Sequence, residues 1–324
     1  MHWPNCTRAT LALLVTAISN VCAGAEPYPA RPVRFVVSSA PGGTQDAVAR
    51  LIANQITGQI GQQVVVDNRG GANGIIGCDI VARAAADGYT LLYAATAFAI
   101  MPSVSKKLPF DVVRDFVPIT RVGVLEGALL LVHPNLPVQN VRELIELAKG
   151  RSLTFGSPGV GNSLHLMAEL FNVSAGTRMI HVPYKGAGPS LNALLSSEIQ
   201  MVFIPPPVAI PYAKSGRVRA LGYSGTRRLA ALPELPTIGE AGLAGFGMDL
   251  GWQALFAPAK TPDTIVTRIY AEVKRALDAP KLRESLLASG YEPKGESPEE
   301  FRKLFLEDIR RYAELTRIAR IEAE

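Results

Sequence analysis

Cysteine is scarce in this sequence, with three residues in 324, and charge is sparse, with Asp, Glu, Lys and Arg together at 19 %. Cys6 and Cys22 lie in an N-terminal segment expected to be removed. That leaves Cys78 and excludes an intramolecular disulfide in the mature chain. A large exported domain needs none. No Cys/His cluster has the spacing of a zinc site, and neither a metal nor a cofactor is expected. The charges nearly balance, 33 basic against 28 acidic residues for a net +5. The basic residues are scattered, and the densest pairs, Arg227-Arg228 and Arg310-Arg311, read as solvated surface. A nucleic-acid partner is therefore not expected. A mild positive balance does suit an anionic small ligand. Beyond the N-terminus no apolar run is long enough to span a bilayer. The 29 Gly and 24 Pro exclude a long coiled coil. Apolar residues are plentiful at 48 %. The length suggests two domains of roughly 150 residues, enough to bury a large core without staples.

Residues 1–25 read as a secretory leader. Arg8 supplies the positive start, Thr10 to Ile18 the short apolar stretch, and Ala23-Gly24-Ala25 the A-x-A cleavage site. Cleavage is expected after Ala25, releasing the mature chain into the periplasm. Pro27, Pro29 and Pro32 then favour an extended lead-in.

Strand and helix signals alternate along the mature chain. Val33 to Ser38, Val64 to Val66 and Tyr89 to Ala94 read as buried strands. Between them lies a helix with Ala47, Val48, Leu51, Ile52, Gln55 and Ile56 on one face, and a second helix over 75–86. The pattern restarts with strands at Leu129–His133, Leu153–Phe155, Met179–Val182, Ile199–Ile204 and Val218–Ser224. Asn140 with Glu143, and Ser297 with Glu300, form capping boxes. Thr261-Pro262-Asp263 opens a late helix. This alternation means βαβ units and mostly parallel sheets. Gly127–Pro134 and Gly251–Pro258 match in kind and read as paired crossover strands. The expected division is residues 26–126 for the first part of lobe 1, 127–250 for lobe 2, and 251–324 for the return to lobe 1.

Tests for chemistry mostly fail. The loop 156–163 nearly fits a P-loop, but Asn162 stands where the phosphate-binding Lys belongs. No G-x-G-x-x-G follows the first strand. Gly161-Asn162-Ser163-Leu164-His165 ends in His where a nucleophile elbow needs Gly. A hydrolase built on Ser163 and His181 remains an alternative without a supporting motif. Anion capture has better support. Loops 40–46 and 156–163 each place small residues before a helix N-terminus, where backbone N–H groups are unpaired and the dipole is positive.

Pro41-Gly42-Gly43-Thr44-Gln45-Asp46 with Ala49-Arg50 resembles the first-loop signature of the Bug (TctC-type) extracytoplasmic solute receptors. The resemblance runs on through Gly61–Arg69, Asp87–Leu92, Leu108–Asp111, His181–Gly186, Leu232–Thr237 and Glu240–Gly242. It implies an α/β fold of the periplasmic binding protein type II (Venus flytrap), two lobes with mostly parallel sheets around a central cleft. It also implies a monomer that binds a small organic carboxylate and performs no catalysis. Inner-membrane subunits of a tripartite tricarboxylate transporter, or a membrane sensor, would be its partners. By that match the ligand-binding residues are Ala40, Gly42, Gly43, Thr44 and Asp46 in the first loop, and Thr96, Ala97 and Phe98 after a cleft-side strand. The second lobe adds Ser157, Gly159, Gly161, Asn162, Ser163 and His165, then Tyr184, Lys185 and Gly186. Ser38-Ser39, Gln200 and Pro205-Pro206-Pro207 depart from the family pattern near the expected cleft, and Gln200 in place of an Asp disfavours an amino-acid ligand.

Overall fold

Short β-branched strands followed by amphipathic helices build the first sheet. The computed structural model describes residues 28–321, so the expected leader lies outside the described residues. Strands β1 (Val33–Val37), β2 (Val64–Asn68) and β3 (Thr90–Ala95) pair in parallel in the order β2-β1-β3. Helices α1 (Thr44–Ile60) and α2 (Ile75–Ala82) carry the chain back between them. Helix α1 buries Val48, Ala49, Ile52, Ala53 and Ile56. Ala47 is exposed, so the apolar stripe is rotated by about one position from the expected face. Helix α2 stops at Ala82 instead of 86, leaving room for a turn in which Asp87 accepts the Tyr89 N–H at 3.0 Å and Gly88 adopts φ +80°.

Helix α3 (Ala97–Val104) leads to β4 (Phe116–Leu125), and the chain then enters a second sheet. There β5 (Leu129–Val132), β6 (Thr154–Ser157), β7 (Ile180–Pro183), β8 (Met201–Ile204) and β9 (Arg219–Tyr223) alternate with α4 (Val141–Gly150), α5 (Ser163–Ala175), α6 (Ala187–Leu195) and α7 (Pro206–Lys214). The chain returns through β10 (Gly251–Pro258), α8 (Asp263–Asp278), α9 (Pro280–Ala288), β11 (Tyr291–Pro293) and α10 (Pro298–Ile318). Ser297 and Glu300 form the full capping box at α10. At α4 the box is altered: Asn140 accepts the Glu143 N–H, but Glu143 reaches back to Gln139 N–H.

The first sheet runs β11-β4-β10-β3-β1-β2 and the second β7-β6-β8-β5-β9. Both are mixed, which corrects the expectation of mostly parallel sheets. The strands laid down at the crossings between sheets arrive from the opposite direction. Accordingly β10 is antiparallel to β3 and β4, and β5 is antiparallel to β8 and β9.

The two expected crossover strands divide between the sheets, β5 opening the second and β10 marking the return to the first. The crossings are the links β4 to β5 and Met248 to β10. Leu250 N–H donates to Leu125 O at 3.0 Å and Met248 N–H to Ser224 O at 2.8 Å. The buried Ser224 hydroxyl accepts the Ala128 N–H at 2.9 Å and donates to Met248 O at 2.8 Å, tying three segments at one point. A Cβ on Gly127 would lie 2.6 Å from Gly225 N, so this approach requires glycine. An aromatic cluster stiffens the first sheet beside the crossing. Phe98 stacks on Phe305 at 5.6 Å and meets Phe116 and Phe256 edge-on at 5.0 Å.

Candidate functional site

In open α/β sheets, ligands bind outside the carboxyl ends of the parallel strands. In the first sheet those ends carry Ser38–Gly43, Arg69–Gly74 and Thr96. In the second they carry Pro158–Asn162, Tyr184–Gly186 and Pro205.

The first loop is open in front and braced behind. Gly43 is the N-cap residue of α1, and no side chain caps that helix, so its first-turn amides are left unpaired by side chains. A Cβ at Gly42 would meet nothing within 4 Å, and one at Gly43 only Ala40 O at 3.8 Å. Ala40, Gly42 and Gly43 are exposed and Thr44 is half-buried. Asp46 is turned inward. It accepts the Gly42 N–H at 2.9 Å and pairs with Arg50 Nε at 2.9 Å. Burial pushes its carboxyl pKa up, but the Gly42 N–H, Arg50 and Asn68 together hold it below the usual range. Gln45 fastens the loop further, its Nε2 donating to Tyr93 O at 2.7 Å and Ser38 Oγ at 3.1 Å. Behind the loop the backbone at Gly70 leaves no room for a side chain, since a Cβ would sit 2.7 Å from Ala40 N.

The second loop is held from below. Asn162 caps α5, its Oδ1 accepting the Leu164 N–H at 3.0 Å. Gly161 N–H donates to His165 Nδ1 at 3.2 Å. Ser157 Oγ contacts His181 Nε2 at 2.6 Å and both Gly159 N (3.2 Å) and Gly159 O (3.1 Å). The His165 and His181 rings stack at 3.8 Å. Burial, and next the adjacent His165, lower the His181 pKa to about 4. Ser157 (0 % exposed) and His165 (4 %) therefore lie under the loop and support it, and the expected ligand contacts from their side chains are corrected. The alternative dyad is not formed either. His181 pairs with Ser157, not Ser163, and Ser157 has no exposed surface for a substrate to reach.

The two lobes meet at the rim. A Cβ on Gly161 would lie 2.5 Å from Val104 Cγ2 and 3.3 Å from Asn73 Nδ2, so the second loop rests on the first lobe. Gly290 similarly approaches Pro207. Tyr184 is half-buried, with Cε2 near Gly156, and Gly186 opens α6 with φ +131°. Lys185 is exposed and makes no ion pair among the described residues.

Three further expectations change. Thr96 is 2 % exposed, its Oγ1 accepting the Trp252 N–H at 2.6 Å, so it braces the crossing. Phe98 is 1 % exposed within the aromatic cluster, while Ala97 beside it is half-buried. Gln200 lies at the amino ends of β6 and β8, accepting the Thr154 N–H at 2.9 Å, away from the ligand-facing edge. Asn73 and Val104 are additions to the expected residues, whereas Pro207 belongs to the Pro205-Pro206-Pro207 run expected near the cleft. The Gly70–Gly74 loop was readable as the turn after a parallel strand, and that position was the signal for Asn73.

Comparison with known proteins agrees with this fold. The family model described as "Tripartite tricarboxylate transporter family receptor" matches residues 48–320. A UPF0065 protein from the tcbD-tcbE intergenic region of Pseudomonas sp. (strain P51) is 37 % identical over 310 residues, covering 95 % of this chain and 92 % of that protein. The structure of R. palustris Rpa4515 with adipate superposes with a TM-score of 0.86 at 33 % identity, covering 92 % of this chain and all of that one. MatC from Rhodopseudomonas palustris with bound malate superposes at 0.78 and 31 % identity, covering 89 % and 99 %. The chain therefore belongs to the tripartite tricarboxylate transporter receptor family, with the two-lobed periplasmic binding protein fold.

Proposed function

We propose that this receptor captures a small organic carboxylate between its lobes and presents it to a tripartite transporter. The observation that carries the reading is the uncapped start of α1 behind Gly42 and Gly43, where no side chain blocks approach to the backbone. A carboxylate there would accept the free first-turn N–H groups and gain from the helix dipole. The neighbours bound to adipate and malate support the same ligand class. Residues 26–126 with 251–324, and 127–250, act as the two lobes, and Lys185 adds a cation at the second lobe's rim. Hinge rotation closes them on the ligand. The chain is exported with its leader removed after Ala25, and works as a periplasmic monomer without a cofactor, returning its ligand unchanged.

The test is a thermal-shift screen of refolded residues 26–324. Mono-, di- and tricarboxylates, adipate and malate among them, are compared with aromatic acids, amino acids and sugars. Ligand at a thousandfold over Kd stabilises by about 4 kcal/mol. At about 2–4 °C per kcal/mol, the true ligand raises Tm by about 10 °C. A clear shift from neutral compounds with none from carboxylates would overturn the anion reading.

A further inference from the structure

His165 and His181 lie beneath the second loop, and each is hydrogen-bonded toward its backbone. His165 Nδ1 accepts the Gly161 N–H, so that nitrogen carries no proton. His165 Nε2 faces Glu169 Oε1 at 3.7 Å, beyond a hydrogen bond. Ser157 Oγ has one hydrogen and two lone pairs for its three contacts. All three are met when it donates to Gly159 O and accepts from Gly159 N–H and from a His181 Nε2–H. Each contact is thus satisfied with both rings neutral. A stack at 3.8 Å also disfavours charging the two together.

We infer that His165 and His181 are positioning residues, a neutral stacked pair that sets Gly161 directly, and Gly159 through Ser157, in the conformation that receives the ligand. The inference rests on the proposal that this loop belongs to the ligand site. The pair sits beside a cavity of about 880 Å³, and the charged groups lining that cavity are Lys106, Glu169, Arg178 and Arg320. These, with the histidines themselves, are the groups that act on the pair as pH changes. With the His181 pKa near 4, its contact with Ser157 persists well below the ordinary histidine range.

The test pairs a disruptive with a conservative change at each ring, in the ¹⁵N-labelled mature chain at pH 7. His165→Leu removes the acceptor for Gly161, whereas His165→Asn keeps one near the Nδ1 position. His181→Leu and His181→Gln make the same contrast for the donor to Ser157. Amide exchange is followed at Gly159 and Gly161, and adipate affinity is measured by calorimetry. The leucine variants are expected to speed exchange at their glycine at least tenfold and weaken adipate at least fivefold, with Asn and Gln restoring both. Unchanged exchange in the leucine variants, or equal loss in the conservative ones, overturns the clasp. Faster exchange with unchanged adipate affinity overturns the loop's place in the ligand site instead. If adipate does not bind the unaltered chain, the exchange result decides alone. In the unaltered chain, protection of Gly159, which depends on His181 through Ser157, is expected to hold from pH 8 to 5.5; a loss centred near 6.5 would show that the His181 ring is not kept neutral.

Discussion

The loop after β1 and the loop after β6 are similar as sequences, Ser-Ala-Pro-Gly-Gly and Gly-Ser-Pro-Gly-Val-Gly, yet they are built in opposite ways. The first leaves its helix without a side-chain cap and faces its glycines toward open space, with Asp46 and Gln45 bracing it from the sides. The second has Asn162 as a cap, a histidine pair beneath it, and Gly161 pressed against Val104 of the other lobe. One loop keeps donors available, and the other spends them on its own support. A strand, a small-residue turn and a helix therefore do not define one device. The cap and the neighbours decide whether the turn's donors stay open or are spent within the fold.

Substitutions can break or sharpen this contrast. The largest effect is expected at Gly43, whose φ of −81° and clear surroundings let the fold accept a side chain. Gly43→Val should weaken carboxylate binding at least about a hundredfold by denying backbone approach, with little change in Tm. Calorimetry showing affinity within threefold of the unaltered chain would remove the first loop from the site. Gly161→Ala should act differently. Its φ of +73° strains an L residue, and its new Cβ meets Val104, so the arrangement in which the second loop rests on the first lobe loses about 1–2 kcal/mol. That predicts affinity lowered about tenfold, partly recovered by adding Val104→Ala; no recovery would mean that the lobes do not meet there. Asn162→Ala should cost about 1 kcal/mol through loss of the cap, seen as a Tm lowered by about 2–4 °C. An unchanged Tm would place both helices in the same, uncapped class.

A further expected effect is a pH slope. His181 titrates near 4 in the folded chain and near its ordinary 6.5 when unfolded, so the unfolded chain takes up the proton first. The stability from keeping the ring neutral is complete above pH 6.5 and is lost as pH falls toward 4. Tm should be flat above 6.5 and decline below it, and His181→Gln should remove the part of that decline due to this ring. Identical profiles for the two proteins would show that His181 is not kept neutral by its surroundings.

Most of the fold was legible because hydrophobic period carries it. Every strand named from the sequence is present, and helix boundaries moved by a few residues where Asp87 and Gly88 formed a turn of their own. The direction of β5 and β10 was not legible, since pairing across the crossings depends on where a distant segment returns. At the site, the first loop was readable from its glycines. Phe98 was misread although Ala97-Phe98-Ala99-Ile100-Met101 is apolar on every side, a composition that belongs inside. Gln200 directly precedes β8, so its place at the amino end of the sheet could have been deduced from strand direction alone. Ser157 and His165 are expected at the ligand by their match to the family's second-lobe loop, but the contacts of both with His181, brought in from another strand, show that they support the loop from beneath.

Ser224 gives the molecule a mechanical character. One hydroxyl pins Ala128 and Met248 together where the chain passes between lobes, and Gly127 lies close against Gly225 with the Tyr223 ring packed beside both. The proposed closure would turn about this joint, whose pivot is set by backbone contact and one hydroxyl.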